Sequence, residues 1–337
     1  MKLAVLIACH NRREVTLAGL RKLVPALEAI PSLRPEYFLL DDGSTDGTGD
    51  AVRRVFPQVR VTQGSGNLFW AGGMSVAYTE SRRQREQFDA YLLFNDDVKV
   101  DASAVSSCLA RYTQLNQTQP SLVVGACTSP ETGDFTYGGW LRASRFRVLG
   151  FTQVFGNGVG REVDTLNGNF VLVPSCVFEP LGGLDGRYRH AYADLDFGLR
   201  AKHWGARIVL HDIPVGTCER GTPLAERAGE MDFRSAWRTL ITGPSGLMPF
   251  MRFARRHGVR VLMPIYFCHE LATRMKILVA SRRQVHGITE IFCRRRNGMR
   301  TSGTRPVPAK AASGDDSTLP FGPCWQNDHD SDALRSR

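Results

Sequence analysis

The sequence predicts an α/β fold with a mostly parallel sheet, and three observations lead to this prediction. Short apolar runs alternate with segments in which apolar residues recur at helical spacing, as in strand–helix–strand units. Polar clusters follow several of these runs, where the carboxyl ends of parallel strands form binding sites. The 337 residues are 42% hydrophobic and 23% charged, as in globular proteins, and no apolar run is long enough to span a membrane.

The first third of the chain carries four predicted strands, each followed by a predicted helix. The first strand is a continuous apolar run, which is typical of a strand buried on both faces of a sheet. The run is too short for the apolar core of a secretory signal peptide, which has about 7–15 residues. The strands are Leu3–Ala8, Tyr37–Leu40, Val59–Thr62 and Tyr91–Phe94. The helices are 14–30, 46–55, 72–87 and 102–115.

The pattern changes after residue 122, where strand-like runs lie among glycine-rich loops. These runs are 122–126, 148–154, 170–173 and 207–210, and a helix is predicted over 193–204. We therefore expect an α/β domain over residues 1–225, a basic helical segment over 226–300 and a polar, disordered tail over 301–337.

The positive charge of the chain is confined to one segment. Residues 251–300 contain twelve Lys and Arg but two Asp and Glu, which accounts for the whole net charge of +10. This distribution argues against a basic groove for nucleic acid through the rest of the protein. The eight cysteines include no pair at C-x-x-C spacing, so we expect no zinc or redox motif and a reducing, cytoplasmic compartment.

Two acidic motifs follow predicted strands. Asp41 and Asp42 precede Gly43-Ser44 and suit hydrogen bonds to a nucleobase or ribose, although these residue types also favour a plain acidic turn. Asn95-Asp96-Asp97 places adjacent carboxylates where a hard divalent cation such as Mg²⁺ could bind. The alternative for this second motif is a helix N-cap at Asp97 or Asp101.

A third acidic motif lies near the start of the helix predicted at 193–204. Asp194 and Asp196 are two residues apart, so they do not share a helix face. One of them can face a cleft as a general base while the other caps the helix or pairs with Arg200. The alternative is that both only support the helix through its dipole and through salt bridges.

The segment 64–74 combines glycines with Phe69 and Trp70. Its small residues permit close approach of the backbone to a ligand, although the aromatic rings could equally be core. The segment has neither the dinucleotide-binding glycine pattern in its strand-to-helix setting nor the Lys-Ser/Thr of a P-loop.

Six segments in order resemble glycosyltransferase family 2, the inverting enzymes of the GT-A fold. The resemblance spans about residues 3–220, and the segment 67–74 looks most similar to bacterial rhamnosyltransferases and other cell-surface polysaccharide enzymes. The segments are 5–12, 39–48, 67–74, 93–98, 166–174 and 192–200. The resemblance implies a Rossmann-like three-layer α/β/α sandwich followed by a helical extension.

The resemblance also implies an activity. It is a metal-dependent, inverting transfer from a nucleotide sugar, with Mg²⁺ or Mn²⁺ as cofactor. The donor would be a dTDP- or UDP-sugar, with rhamnose as one candidate, and the acceptor a glycan or lipid-linked sugar of cell-surface polysaccharide. The implied place is the cytoplasm or the cytoplasmic face of the inner membrane.

Site residues follow from the same resemblance. Asp194 would be the catalytic base, and Asp97 would bind the metal, with His211 as a second candidate ligand. The donor side would comprise Cys9, Asn11, Arg12, Asp41, Asp42, Asn67, Trp70, Gly72, Gly73, Asn95 and Asp96. The acceptor side would comprise Asn167, Gly168, Asn169 and Asp196. Asn95 replaces the first carboxylate of the family's metal motif, and Ala193 replaces the Glu before the base.

Two other functions are open to a basic α/β chain. A sugar nucleotidyltransferase would need a glycine-rich N-terminal loop with Arg and Lys, which is not found. A nucleic-acid-binding protein would need recognition motifs among the basic residues, and none are found.

We expect residues 251–300 to contact an anionic membrane surface, with Phe267, Leu271, Met275 and Leu278 as one apolar helix face. The alternative is an ordinary solvated helix.

Overall fold

The computed structural model describes residues 1–84, 87–156 and 160–297, with side chains as far as residue 280. Its first strands are β1 (Lys2–Cys9), β2 (Arg34–Asp41), β3 (Val59–Gln63), β4 (Ala90–Asn95), β5 (Lys99–Val100), β6 (Ser121–Val124) and β7 (Cys127–Thr128). The later strands are β8 (Phe135–Tyr137), β9 (Gly139–Arg142), β10 (Phe151–Val154), β11 (Thr165–Leu166), β12 (Phe170–Pro174), β13 (Arg207–Leu210) and β14 (Gly216–Thr217).

Helices alternate with these strands and then continue to the end of the described chain. They are α1 (Arg13–Glu28), α2 (Thr48–Val55), α3 (Phe69–Arg83), α4 (Ala102–Asn116), α5 (Ser175–Phe178), α6 (Ala193–His203), α7 (Leu224–Glu230), α8 (Phe233–Trp237), α9 (Leu247–His257) and α10 (Met263–Asn297). The predicted strands and helices of the first third are all present. The tail predicted over 301–337 lies outside the described residues.

The main sheet has seven strands in the order β13-β6-β12-β4-β1-β2-β3. Only β12 runs antiparallel to its neighbours, which confirms the predicted mostly parallel sheet. The amino end of β12 therefore lies at the same edge as the carboxyl ends of β1, β2 and β4. This edge gathers the polar segments that follow the three parallel strands.

Strand β1 shows why the fold has three layers. Its side chains alternate between the two faces of the sheet, and all of them from Leu3 to Cys9 are buried. Leu3, Val5 and Ile7 pack with residues of α1 and α4, whereas Ala4, Leu6 and Ala8 pack with residues of α3. A continuous apolar run thus serves helices on both faces of the sheet.

Two small sheets lie beyond the main one. One has the order β5-β14-β7-β8, and the other has the order β10-β9-β11. In the first, β14 pairs antiparallel with β5 so that Thr217 faces Lys99. This pairing brings the chain around residue 218 back to the end of β4.

The last described helices pack onto the α/β domain. Phe253 of α9 is fully buried and joins the same core cluster as α3 and α6. Arg274 of α10 is also buried, and it donates to Glu270 (2.8 Å) and to the Ser245 carbonyl oxygen (2.8 Å). Although Arg274 belongs to the basic segment 251–300, its guanidinium faces the interior and ties α10 to the loop before α9.

The apolar face predicted on α10 is divided in the structure. Leu278 is buried and Leu271 packs on the core, but Phe267 and Met275 are exposed. No helix within the described ranges combines the length and the apolar character needed to cross a membrane.

Candidate active site

The acid pair after β4 is bound by one guanidinium. Arg12 donates from Nη1 to Asp96 (3.0 Å) and from Nη2 to Asp97 (2.9 Å). Asp96 is fully buried and also accepts a hydrogen bond from Thr16 Oγ1 at 2.6 Å. The side chain of Asp97 is 15% exposed, so Asp97 is the carboxylate of the pair that faces solvent.

The cap of helix α4 is supplied elsewhere. Asp101 accepts a hydrogen bond from the Ala104 amide at 2.9 Å and is the N-cap of α4. The alternative reading of Asp97 as this cap is therefore wrong. Burial raises the pKa of Asp96 to about 6, while the charge of Arg12 acts in the opposite direction.

A cysteine lies beside Asp97, and sequence reasoning did not select it. The Cys218 thiol is 3.4 Å from Asp97 Oδ1, and Asn169 Nδ2 donates to its sulfur at 3.6 Å. The only signal for this contact is the pairing of β14 with β5, which joins segments more than a hundred residues apart. Asn169, expected on the acceptor side, therefore lies on the side of the acid pair.

The residues at the end of β4 suit a divalent cation that also binds substrate. Asn95 Oδ1 is buried and has no hydrogen-bond partner within the described chain, and Asp97 adds carboxylate oxygens. Mg²⁺ is usually held by one or two carboxylates together with substrate phosphates. The described residues contain no cluster of three or more His, Cys, Asp or Glu side chains that could hold a metal without substrate.

The structure does not bring His211 to this place. His211 follows β13, which is three strands from β4 in the sheet, or about 14 Å at the usual strand spacing. Its ring is buried, and burial lowers its pKa, with Asp212 and Arg111 as its charged neighbours. The expectation that His211 and Asp97 bind one metal ion together is therefore wrong.

Asp41 and Asp42 hold the loops at the end of β2. The Asp41 carboxylate accepts from the amides of Ser44 and Gly49, both at 3.0 Å. The Asp42 carboxylate accepts from three amides of the segment 64–69, those of Gly66, Leu68 and Phe69, each at 2.8 Å. Both acids are 2% exposed, so their carboxylates are used by the protein itself.

Three expected donor-binding residues are buried in packing. The Cys9 side chain is fully buried in the core, and a side chain at Gly73 would collide with Ala8 Cβ (2.8 Å) and Leu40 Cδ2 (2.9 Å). Gly72 is buried beside Gly186. Both glycines let α3 approach its neighbours, and their expected contact with the donor is corrected.

Asn11, Arg12 and Asn67 remain accessible at the same edge. Asn11 has a φ of 46° and accepts a hydrogen bond from the Thr45 amide at 2.7 Å. Such a left-handed backbone is unusual for a residue other than glycine, and Asn tolerates it better than most.

Asp194 stands at the start of α6 beside two of the expected acceptor-side residues. It accepts a hydrogen bond from the Leu195 amide at 2.8 Å. Burial raises its pKa, and hydrogen bonds from the Gly168 amide and the Asn167 side chain oppose this shift. A side chain at Gly168 would collide with the Trp70 ring at 2.3 Å, so Trp70 forms the adjoining wall.

Asp196 is fully buried, and its expected contact with an acceptor is corrected. Burial raises its pKa, but the hydrogen bond from His257 and the charge of Arg200 outweigh burial and hold the pKa well below its usual range. Its partners are Tyr188 Oη (3.1 Å), Arg200 Nε (2.8 Å), Arg256 Nη1 (2.8 Å) and His257 Nε2 (2.8 Å).

The tripeptide 167–169 connects the base to the acid pair. Asn167 and Gly168 bond to Asp194, and the Asn169 carbonyl accepts from the Asn95 amide at 2.9 Å. The sheet therefore presents a candidate base and a candidate metal ligand along one edge. This arrangement, on a three-layer α/β fold, is that of a group-transfer enzyme with an acidic centre.

The model of glycosyl transferase family 2 matches residues 4–157. The match confirms the resemblance predicted from the motifs over those residues, and it supports a glycosyltransferase that uses a nucleotide sugar. The chain has no match among curated protein sequences.

Two solved structures superpose on this chain. TarS 1–349 of S. aureus in complex with UDP superposes with a TM-score of 0.50 at 12% identity, over 85% of this chain and 92% of that chain. The mannosyltransferase PcManGT from Pyrobaculum calidifontis, in complex with GDP-Man and Mn²⁺, superposes with a TM-score of 0.46 at 14% identity, over 83% of this chain and 75% of that chain. The likeness to TarS supports the GT-A fold.

Proposed function

We propose that the protein transfers a sugar, with inversion, from a dTDP- or UDP-sugar to a glycan or lipid-linked acceptor of cell-surface polysaccharide. Rhamnose is the first donor sugar to test, because the segment 67–74 is similar to that of rhamnosyltransferases. The observation that carries the proposal is the connection of Asp194 to the Asp96–Asp97 pair through residues 167–169.

The reaction is a single displacement. Asp194 accepts the proton of an acceptor hydroxyl, and the oxygen bonds to the anomeric carbon as the bond from that carbon to the diphosphate breaks. Attack from the face opposite the diphosphate inverts the configuration. A raised pKa suits Asp194 to this work, because a carboxylate of higher basicity accepts a proton more readily.

Asp97 is the residue that would hold Mg²⁺ or Mn²⁺, with the donor's phosphate oxygens completing the coordination. A divalent ion at such a site offsets the negative charge that develops on the leaving diphosphate. Arg12 keeps Asp97 oriented and partly neutralises the buried Asp96 beside it.

The donor lies, in this proposal, between the loop after β1 and the loop 64–69. Asn11, Arg12 and Asn67 are accessible side chains of these loops, and Trp70 forms the inner wall beside Gly168. Asp41 and Asp42 act by holding the loops in place.

We further propose that the C-terminal helices contact the anionic, cytoplasmic face of a membrane, where a lipid-linked acceptor would be found. Several apolar side chains are exposed there, among them Val261 (80%), Ile265 (62%) and Val279 (49%). Ile265, Cys268, Ala272, Met275 and Val279 are spaced by three or four residues along α10 and are all exposed. The exposed Arg260 and Lys276 lie among them, and each basic group near an anionic surface contributes about 1 kcal/mol.

The stereochemistry of slow donor hydrolysis tests the displacement. Proton NMR of the wild-type protein with an α-linked donor should first show the β-anomer of the free sugar, and Asp194→Asn should release far less. Release of the α-anomer would contradict a single displacement.

A further inference from the structure

Three buried polar atoms near the start of α3 have no hydrogen-bond partner among the residues that the structure describes. They are Trp70 Nε1, His190 Nδ1 and Arg227 Nε. Trp70 is 6% exposed and His190 is 7% exposed, so neither group can be satisfied by bulk water. Buried polar groups in proteins almost always have a partner, which makes these three conspicuous.

The fold brings together the segments that carry these side chains. The Ala71 amide, in the first turn of α3, donates to the Arg189 carbonyl at 2.7 Å, which holds Trp70 close to the segment before α6. The Phe69 ring lies 6.4 Å from the His190 ring. Arg227 of α7 lies close enough to His190 for its charge to add to burial, and together they lower the pKa of His190 to about 3.

The surroundings are positively charged. Arg227 makes no hydrogen bond or ion pair within the described residues, although it is only partly exposed. Arg189 lies over the Phe69 ring at 4.6 Å and donates to the Asn67 carbonyl, and no carboxylate pairs with it in the described chain. The amino end of α3, a helix of 15 residues, adds a partial positive charge.

We propose that His190 and Arg227, with Trp70 and Arg189, form a binding subsite for a phosphate group of one of the two substrates. Guanidinium, indole and imidazole N–H groups are donors, and phosphate oxygens are acceptors that guanidinium groups bind in pairs. His190 lies four residues before Asp194, so a phosphate here would lie close to the proposed base. The inference rests on the proposed transfer and names how its substrates are held.

Two sources could bring that phosphate, and they share the same chemistry. One is the diphosphate of the nucleotide-sugar donor, and the other is the diphosphate of a lipid-linked acceptor. Arg227 belongs to α7, between the α/β domain and the helices proposed to meet the membrane. This position is compatible with either source, so the experiment has to separate them.

The first measurement is calorimetric titration of the full-length protein with inorganic pyrophosphate, which carries neither base nor lipid. We expect Arg227→Gln and His190→Gln each to weaken pyrophosphate binding at least tenfold. Arg54→Gln, at an exposed position on α2, is the matched control and should leave the affinity unchanged. Arg227→Lys keeps the positive charge but loses the guanidinium group. Its affinity for pyrophosphate should therefore lie between that of the wild type and that of Arg227→Gln.

Two further arms identify the source of the phosphate. If the donor supplies the phosphate, Arg227→Gln raises the KM for donor hydrolysis in the absence of acceptor. The variant also weakens the binding of UDP far more than the binding of uridine. If the acceptor supplies it, donor hydrolysis is unchanged and the variant no longer binds farnesyl diphosphate. Equal pyrophosphate affinity in wild type, Arg227→Gln and His190→Gln would overturn the subsite. Absence of any donor hydrolysis or transfer by the wild type would instead overturn the proposed function.

Discussion

Asp194 and Asp196 show how two identical residues on one helix acquire different properties. Asp194 keeps some exposure and accepts hydrogen bonds from Leu195, Gly168 and Asn167 without a cation among these partners, so its carboxylate can still accept a proton. Asp196 points to the opposite side, where Arg256 and His257 surround it. The spacing alone predicts different faces, but it cannot say which face is the cleft, because Arg256 and His257, which bond to Asp196, lie about sixty residues away in sequence.

The first prediction concerns the base. Asp194→Asn should lower transfer by about 10²–10⁴-fold, the usual contribution of a general base, while donor affinity stays near that of wild type. Turnover and calorimetric donor binding measure the two effects separately. Because burial raises the pKa of Asp194, the acid limb of the wild-type pH–rate profile should lie above the range of an exposed aspartate. Near-normal turnover of the variant would exclude this role.

The second prediction concerns Asp42. Asp42→Ala leaves the amides of Gly66, Leu68 and Phe69 without their acceptor, so unfolding free energy should drop by about 2 kcal/mol. We expect donor affinity to fall as well, because the loop that borders Trp70 is no longer held. Urea unfolding and donor titration check the two effects.

Asp50→Ala is the control for Asp42→Ala, since Asp50 is exposed on α2 and its ion pair with Arg53 is exposed as well. If Asp42 contacts the donor nucleobase directly, as the family resemblance implies, Asp42→Ala would abolish binding with little loss of stability. That result would show that the main role of Asp42 is not to accept the three amide hydrogen bonds.

At the scale of elements, the contact of α6 with α9 depends on Asp196. Arg256 and His257 end α9, and both meet the Asp196 carboxylate with Arg200 of α6. The sequence predicted α6 and a helical segment over 226–300, but not this contact. The basic residues of 251–300 were expected to face lipid or water, because helical spacing reveals which residues share a face but not which residues that face meets.

The third prediction follows from this network. Asp196→Asn should lower the unfolding free energy by about 3 kcal/mol at pH 7, because it removes the fully buried charge with which Arg200 and Arg256 pair. The native pKa of Asp196 is depressed, so its contribution is complete above the unfolded value of about 3.9 and is lost as the pH falls below it. The difference between wild type and variant should therefore shrink below about pH 4.

Urea unfolding at pH 7 and at pH 3 measures this difference. Glu162→Gln is the control, since its ion pair with Arg207 is largely exposed and should contribute at most about 1 kcal/mol. A pH-independent gap for Asp196→Asn would contradict the assigned charge state.

The strands were the most predictable elements. β1, β2 and β4 are short apolar runs buried on both faces, and the sequence places them to within two or three residues. The small sheets were not predictable, because β5 and β14 have two residues each and depend on pairing over a long distance. For the same reason Cys218 could not be assigned to the acid centre from sequence.

At the scale of the whole molecule, the catalytic domain and the C-terminal helices share a core. Phe253 and Tyr266 are buried against the same cluster as Tyr188 and Phe197. Truncation near residue 250 would therefore remove Arg256 from Asp196 and disturb the domain itself. The membrane proposal is better tested by substitutions on the exposed side of these helices.

The fourth prediction tests that surface. A chain with Val261→Ser, Ile265→Ser and Val279→Ser should float with phosphatidylglycerol-containing vesicles much less than wild type, because the exposed apolar groups are removed and the fold is kept. Val15→Ser with Val55→Ser, at exposed positions on α1 and α2, is the matched control and should float like wild type. Equal flotation of both variants, or none for wild type, would contradict a membrane contact through this surface.

The central claim is that the edge joining Asp97 to Asp194 binds and activates a nucleotide sugar. The most direct measurement is thermal stabilisation and hydrolysis with a panel of dTDP-, UDP- and GDP-sugars, with Mg²⁺, Mn²⁺ or EDTA, in wild type, Asp97→Ala and Asp194→Asn. We predict that one nucleotide class stabilises the wild type with metal only. Asp97→Ala should lose this stabilisation, and Asp194→Asn should keep it without turnover. No response of the wild type to any donor, with or without metal, would contradict the account.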